Sequence, residues 1–234
     1  MKYEAVNELT HFDFHDALIN RIYFKNDDLI WDVSKINATT ENSQNDFEDH
    51  MCVEDALMIF ENAQIENIFI GGYKRYNSDG VLIDSKENVT LLPEEYEDFL
   101  KSKNRENGSY IFGMESFSEL ENGKYRVKFD SITFTFSKSI IKWENYSGKA
   151  WYESDEWKKV RKQREESWEK FKTEYKIGDI IDVKIKDQFI VEIFPGLSEL
   201  VFTSHLKNLK AGEIRKAKIT DINYDTWRIS LEVE

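Results

Sequence analysis

Three residues near the amino terminus have the types and spacing to hold a metal ion. His11, Asp13 and His15 alternate in the segment HFDFHD. On a strand, that spacing puts all three on one face, with neighbours about 7 Å apart. Two imidazoles and a carboxylate suit zinc or iron. Alternate strand residues splay too widely, however, for three to reach one ion. The expectation is therefore a polar strand edge with no metal, and with Phe12 and Phe14 turned to the core. His50 and Cys52 form a second pair, of the types used in nucleophilic catalysis. Asp46, Glu48, Asp49, Glu54 and Asp55 flank them. Reactive cysteines sit in electropositive settings, which this is not. No P-loop, dinucleotide fingerprint, nucleophile elbow or HExxH motif occurs. The sequence thus predicts no catalytic residues, no cofactor and a non-enzymatic binding protein.

Charge indicates what kind of partner would bind. Residues 1–149 contain 16 Lys/Arg and 28 Asp/Glu, so they carry −12 of the chain's −13. Such a surface repels phosphate and attracts basic proteins. Cys52 is the only cysteine, which excludes an intrachain disulfide and a four-cysteine zinc site. The opening segment MKYEAVNELTHFDFHD lacks a basic stretch followed by an apolar run. No window approaches 18 apolar residues. A cytoplasmic protein with no membrane partner is expected.

The elements that must position these residues are mostly strands. Residues 14–24 and 29–36 are rich in β-branched and aromatic side chains, with Asn26-Asp27-Asp28 as a turn between them. Residues 41–55 are polar and acidic and predict a loop. Leu57 to Phe60 and Ile65 to Tyr73 predict further strands. Asn77-Ser78-Asp79-Gly80 predicts a hairpin turn. Pro93 followed by two glutamates predicts a helix start. Ser109 to Met114, Tyr125 to Asp130, Ile132 to Phe136 and Ile140 to Trp143 predict four more short strands, and the alternation of Ile132, Phe134 and Phe136 implies one buried face. The fold class is mainly β, an antiparallel sandwich-like domain over 1–149 with one short helix.

Residues 150–175 predict an amphipathic connector helix. Ser154 can cap it, with Asp155 and Glu156 in its first turn. Trp157, Val160, Arg164, Trp168, Phe171 and Tyr175 recur three or four apart, which lines one face. From Tyr175 the period returns to two. Five short strands over 176–234 predict a small OB-type barrel.

This last region resembles the S-one RNA-binding domain, an OB-fold family. Lys176-Ile177-Gly178-Asp179-Ile180 is similar to the family's opening motif, and Gln188-Phe189-Ile190-Val191 to its second strand. Gly196 to Leu206 is similar to its Gly-x-x-Gly-Leu-Val-His-x-Ser-Glu-Leu segment. Leu209 to Glu213 and Arg228 to Leu231 are similar to its later motifs. The resemblance implies RNA or single-stranded nucleic-acid binding. It assigns stacking to Phe189 and Phe202 and backbone contact to Arg228. The chain departs from the family at Glu199, which replaces a glycine, and residues 177–234 carry a net charge of −2. Lys184, Lys186, Lys207, Lys210, Arg215, Lys216 and Lys218 are the cations that could form a basic patch.

A shorter resemblance lies in Phe14-His15-Asp16-Ala17, Ile22 and Leu29-Ile30-Trp31. These are similar to the opening of β-rich proteins from bacterial toxin–immunity loci. That likeness implies a protein-binding, immunity-type inhibitor, with the barrel as an accessory.

Overall fold

The structure is a computed structural model. It describes every residue except 16, 78–79, 108–109, 188–189, 201–209 and 234. The chain is mainly β and divides into two compact units, Met1–Glu153 and Ser154–Glu234.

The first unit runs through β1 (Tyr3–Val6), β2 (Phe12–Asp13), β3 (Ala17–Lys25), β4 (Asp28–Ala38), β5 (Met51–Glu61), β6 (Gln64–Ile70), β7 (Tyr73–Tyr76), β8 (Leu82–Lys86) and β9 (Val89–Thr90). After α1 (Tyr96–Ser102) come β10 (Tyr110–Phe112), β11 (Met114–Glu119), β12 (Tyr125–Phe129), β13 (Ile132–Phe136), β14 (Lys138–Trp143) and β15 (Tyr146–Lys149). One antiparallel sheet has the order β1-β14-β5-β4-β3-β10, with β2 added on β4 and β15 on β5. A second has the order β11-β12-β13-β6-β9, and β7 and β8 form a separate hairpin.

Aromatic side chains fill the core between these sheets. Trp31 packs 5.1 Å from Phe129, and Phe60 packs 4.9 Å from Phe134, ring centre to ring centre. Ile132, Phe134 and Phe136 are all buried, as their alternation predicts. Phe12 and Phe14 also face the core.

Both central strands change the face they bury at one place. β4 buries Leu29, Trp31 and Val33, then Ile36 and Ala38. β5 buries Phe60, Met58 and Ala56, then Val53 and Met51. Lys35 lies at this switch with φ +62°, a left-handed conformation that disfavours a side chain. Its ammonium meets Glu54 at 2.5 Å.

Two sequence expectations need correction. The acidic segment expected to be a loop as far as residue 55 is strand from Met51 onward. Glu54 and Asp55 fit there because their face of β5 is exposed to solvent. The expected single strand at 109–114 is two, β10 and β11, and they belong to different sheets.

The second unit opens with α2 (Asp155–Glu174), followed by β16 (Ile180–Ile185), β17 (Ile190–Phe194), β18 (Leu197–Leu200), β19 (Ile214–Asn223) and β20 (Arg228–Val233). The Ser154 hydroxyl accepts the Trp157 N–H and caps α2. The sheet order is β18-β17-β16-β19-β20, a five-stranded half-barrel. α2 is part of this unit. Its Trp168 and Phe171 are buried with Val183, Val191 and Ile219. Trp168 stacks on Trp227 at 6.1 Å. The Ser167 hydroxyl donates to the Pro195 carbonyl at 2.7 Å. Trp157 and Val160, from the same predicted stripe, are exposed. The buried face therefore covers only the carboxyl-terminal half of the helix. Among the described residues, no helix is long and apolar enough to cross a membrane.

Trp168→Ala should destabilise the second unit by about 3–5 kcal/mol, because it opens a large cavity among rings. Hydrogen exchange followed by mass spectrometry should show faster exchange over 154–233 and unchanged exchange over 1–153.

Candidate functional site

A concave surface of the first unit lies where α1 crosses β3 and β6. Its volume is about 680 Å³, within the ~300–1,000 Å³ range of ligand clefts. Ile22 and Leu100, both buried, and Ile65 form the floor. Tyr23, Phe24, Pro93 and Tyr96 line the walls. Phe24 is 43% exposed, a large apolar side chain left open to solvent.

The chain builds this groove in local steps. Pro93 starts a short turn of helix, and the Glu95 carboxylate accepts the Leu92 N–H at 2.7 Å. That anchors the start of α1. Glu97 and Lys101, one turn apart, pair at 2.6 Å along its exposed face. Lys101 holds Glu97 in its charged form, below its ordinary titration range. Glu66 pairs with Arg126 at 2.7 Å. The stretch 93–102 carries Glu94, Glu95, Glu97 and Asp98 against one lysine. The result is an apolar groove whose two lining carboxylates, Glu66 and Glu97, are each paired with a cation, beside an acidic stretch of sequence. Exposed apolar surface continues nearby in sequence at Phe69, Val89 and Leu92.

The residues with metal-ligand spacing do not converge. His11 ends a short 3-10 helix, and its ring faces Glu8 at 3.6 Å. Asp13 sits in β2, and His15 lies beyond that strand. The three do not share one strand face. Among the described residues, no group of three or more His, Cys, Asp or Glu could hold a metal ion. Asp13 instead accepts the His15 N–H at 2.8 Å and bonds the Tyr152 hydroxyl. His50 Nδ1 lies 3.1 Å from that hydroxyl. Burial first, and Asp13 second, push the Tyr152 hydroxyl well above its ordinary range. His50 and Cys52 therefore serve different surroundings, His50 toward Tyr152 and Cys52 toward a small cleft.

Of the three positions assigned to nucleic acid, Phe189 and Phe202 lie outside the described residues. Arg228 is described. It opens β20, is exposed, and stands 3.7 Å from the Glu199 carboxylate on β18. Glu199 is only 3% exposed. Burial raises its titration range, while the Arg228 guanidinium and the Ile229 N–H act in the opposite sense. β18 and β20 are the two edges of the half-barrel. The Glu199 carboxylate ties one edge to the other. Three other predicted cations are also paired: Lys186 with Glu192, Arg215 with Glu213, and Lys216 with Asp182.

The groove was not legible in the sequence. Its walls come from segments about forty and thirty residues apart, and the only local signal was the acidic run after Pro93.

Glu199 gives a signed pH effect. A carboxyl whose folded titration range is raised favours the protonated state in the fold. Its contribution to stability is full below about 4.5, its ordinary value, and is lost as pH rises through the folded value. Glu199→Gln should therefore flatten that loss for the second unit, relative to the parent chain, in denaturant titrations from pH 4 to 8. Comparison with protein-family models, with curated proteins and with solved structures gives no match to this chain.

Proposed function

We propose that the chain is a non-enzymatic, cytoplasmic binding protein whose acidic first unit docks a basic protein. The observation that carries this reading is the apolar groove between α1 and β3, in a unit whose residues 1–149 carry a net charge of −12. Apolar floor and walls supply affinity, since burying an aromatic anchor contributes on the order of 2–3 kcal/mol. The net charge of −12 over residues 1–149 supplies steering and rejects acidic competitors. An immunity-type inhibitor of a basic toxin has this chemistry, and the barrel is then an accessory.

A second reading, RNA binding by the barrel, draws on the five-stranded half-barrel and on the exposed Arg228. Arg228 and three other cations of the half-barrel face carboxylates, as Glu97 and Glu66 of the groove face Lys101 and Arg126, so the first reading is preferred for its apolar lining and the −12 charge over residues 1–149.

The test is panning of a random peptide display library on the full chain, followed by calorimetry with the enriched peptides. Basic peptides with a large apolar anchor should be enriched. Phe24→Ser should weaken them at least tenfold, and raised salt should weaken them further. Enrichment of acidic peptides, or binding indifferent to Phe24→Ser, would overturn the reading. For the barrel, a labelled single-stranded RNA titrated with the full chain should give no salt-sensitive anisotropy change. Micromolar binding lost on Arg228→Ala would establish the second reading.

A further inference from the structure

We propose that the β7–β8 hairpin of a second copy of this chain docks in the groove, an inference that rests on the groove being a protein-docking surface. Among the described residues, β7 and β8 pair only with each other and join neither sheet of the first unit. A lone two-stranded hairpin is marginal in water. Polar contacts nevertheless hold its base. The Gly72 N–H donates to the Asn88 side-chain oxygen at 2.7 Å, and a side chain at Gly72 would meet the Lys86 carbonyl oxygen at 2.1 Å. The Tyr73 hydroxyl donates to Asp84 at 2.9 Å, and Arg75 pairs with the same carboxylate at 3.4 Å.

The far end of the hairpin is apolar. Tyr76 and Leu82 oppose each other, and a register shift beside them accommodates Ile83. Tyr76, Val81, Leu82 and Ile83 are each between 48% and 57% exposed. Large apolar side chains gathered at one end of a hairpin form the kind of patch that marks an interaction site. In its own chain the hairpin contributes none of the residues that line the groove.

Charge selects the occupant. Residues 73–86 hold Lys74, Arg75 and Lys86 against Asp79 and Asp84, a net of +1, and removing them leaves −13 on the rest of 1–149. Lys74 and Lys86 are exposed and, among the described residues, hold no carboxylate. The helical segment beside the groove, 93–102, carries four carboxylates against one lysine. An apolar tip with free cations therefore complements an apolar groove in an acidic surface. A lipid surface suits the tip less well, because anionic headgroups would meet the −13 that surrounds it. Two tips exchanged between two grooves close a two-fold dimer.

Sedimentation velocity of the full chain, from micromolar to millimolar, should show a shift from 27.8 kDa toward twice that mass, and raised salt should weaken it. Leu82→Ser with Ile83→Ser alters the tip, and Phe24→Ser alters the groove wall. Each variant should dimerise at least tenfold more weakly with an unchanged thermal midpoint, since all three side chains are exposed. Mixing the two variants should regain association, because one intact tip and one intact groove remain between them. The proposal fails if the parent chain stays monomeric, if either variant dimerises like the parent, or if the mixture stays monomeric. A monomeric parent that binds phosphatidylserine vesicles through Leu82 and Ile83 would likewise overturn it. A basic peptide with a tryptophan anchor, titrated into the Leu82→Ser, Ile83→Ser chain, tests the groove by itself. Peptide binding beside a monomeric parent overturns the self-docking and keeps the groove as the site of a different protein. A parent dimer without peptide binding keeps the self-docking and overturns the separate partner.

Discussion

The first unit depends on the contact between Trp31 and Phe60 of one sheet and Phe129 and Phe134 of the other. Each ring buries about 150–250 Å², which contributes on the order of 5 kcal/mol before entropy is counted. The indole Nε1 of Trp31 is buried without a partner. That omission costs about 1–3 kcal/mol, less than the burial supplies. The ring therefore stays in the core, and the two sheets stay clamped. Two concave surfaces, the groove and a small cleft lined by Asn37, Cys52 and Gly148, are built on these clamped sheets.

Two such surfaces differ in physical character. The groove is apolar within, because α1 lays its own apolar side over β3 and turns its carboxylates outward. The cleft is polar within, because a left-handed residue at Lys35 accompanies the change of buried face along β4. A left-handed lysine costs about 1–2 kcal/mol. Its ion pair with Glu54 is exposed and returns only a fraction of that. The core around Ile36 and Val53 offsets the remainder.

Legibility in the sequence followed local signal. The period of two in β13 and in the barrel strands, and the capped start of α2 at Ser154, are local patterns, and the structure has them. The start of β5 was hidden because Glu54 and Asp55 are polar for a solvent-facing reason, not a loop reason. β1 and β15 are too short to show a period. The predicted stripe on α2 was half right: Trp168 and Phe171 are core, whereas Trp157 and Val160 are not. The groove and the cleft depend on tertiary crossing and strand register. Neither leaves a signature within one segment.

In the half-barrel one charged contact ties the two edges together. Glu199, at a position where the S-one family resemblance implies glycine, places a buried carboxylate beside Arg228. A phosphate would have to compete with that carboxylate for the same guanidinium. The proposed binding role therefore rests on the first unit. The most direct measurement is a map of backbone amide chemical shifts of the full chain, titrated with a basic peptide bearing a tryptophan anchor. The account predicts saturable changes clustered over residues 22–24, 65–66 and 93–101. Changes confined to 176–233, or scattered without saturation, would contradict it.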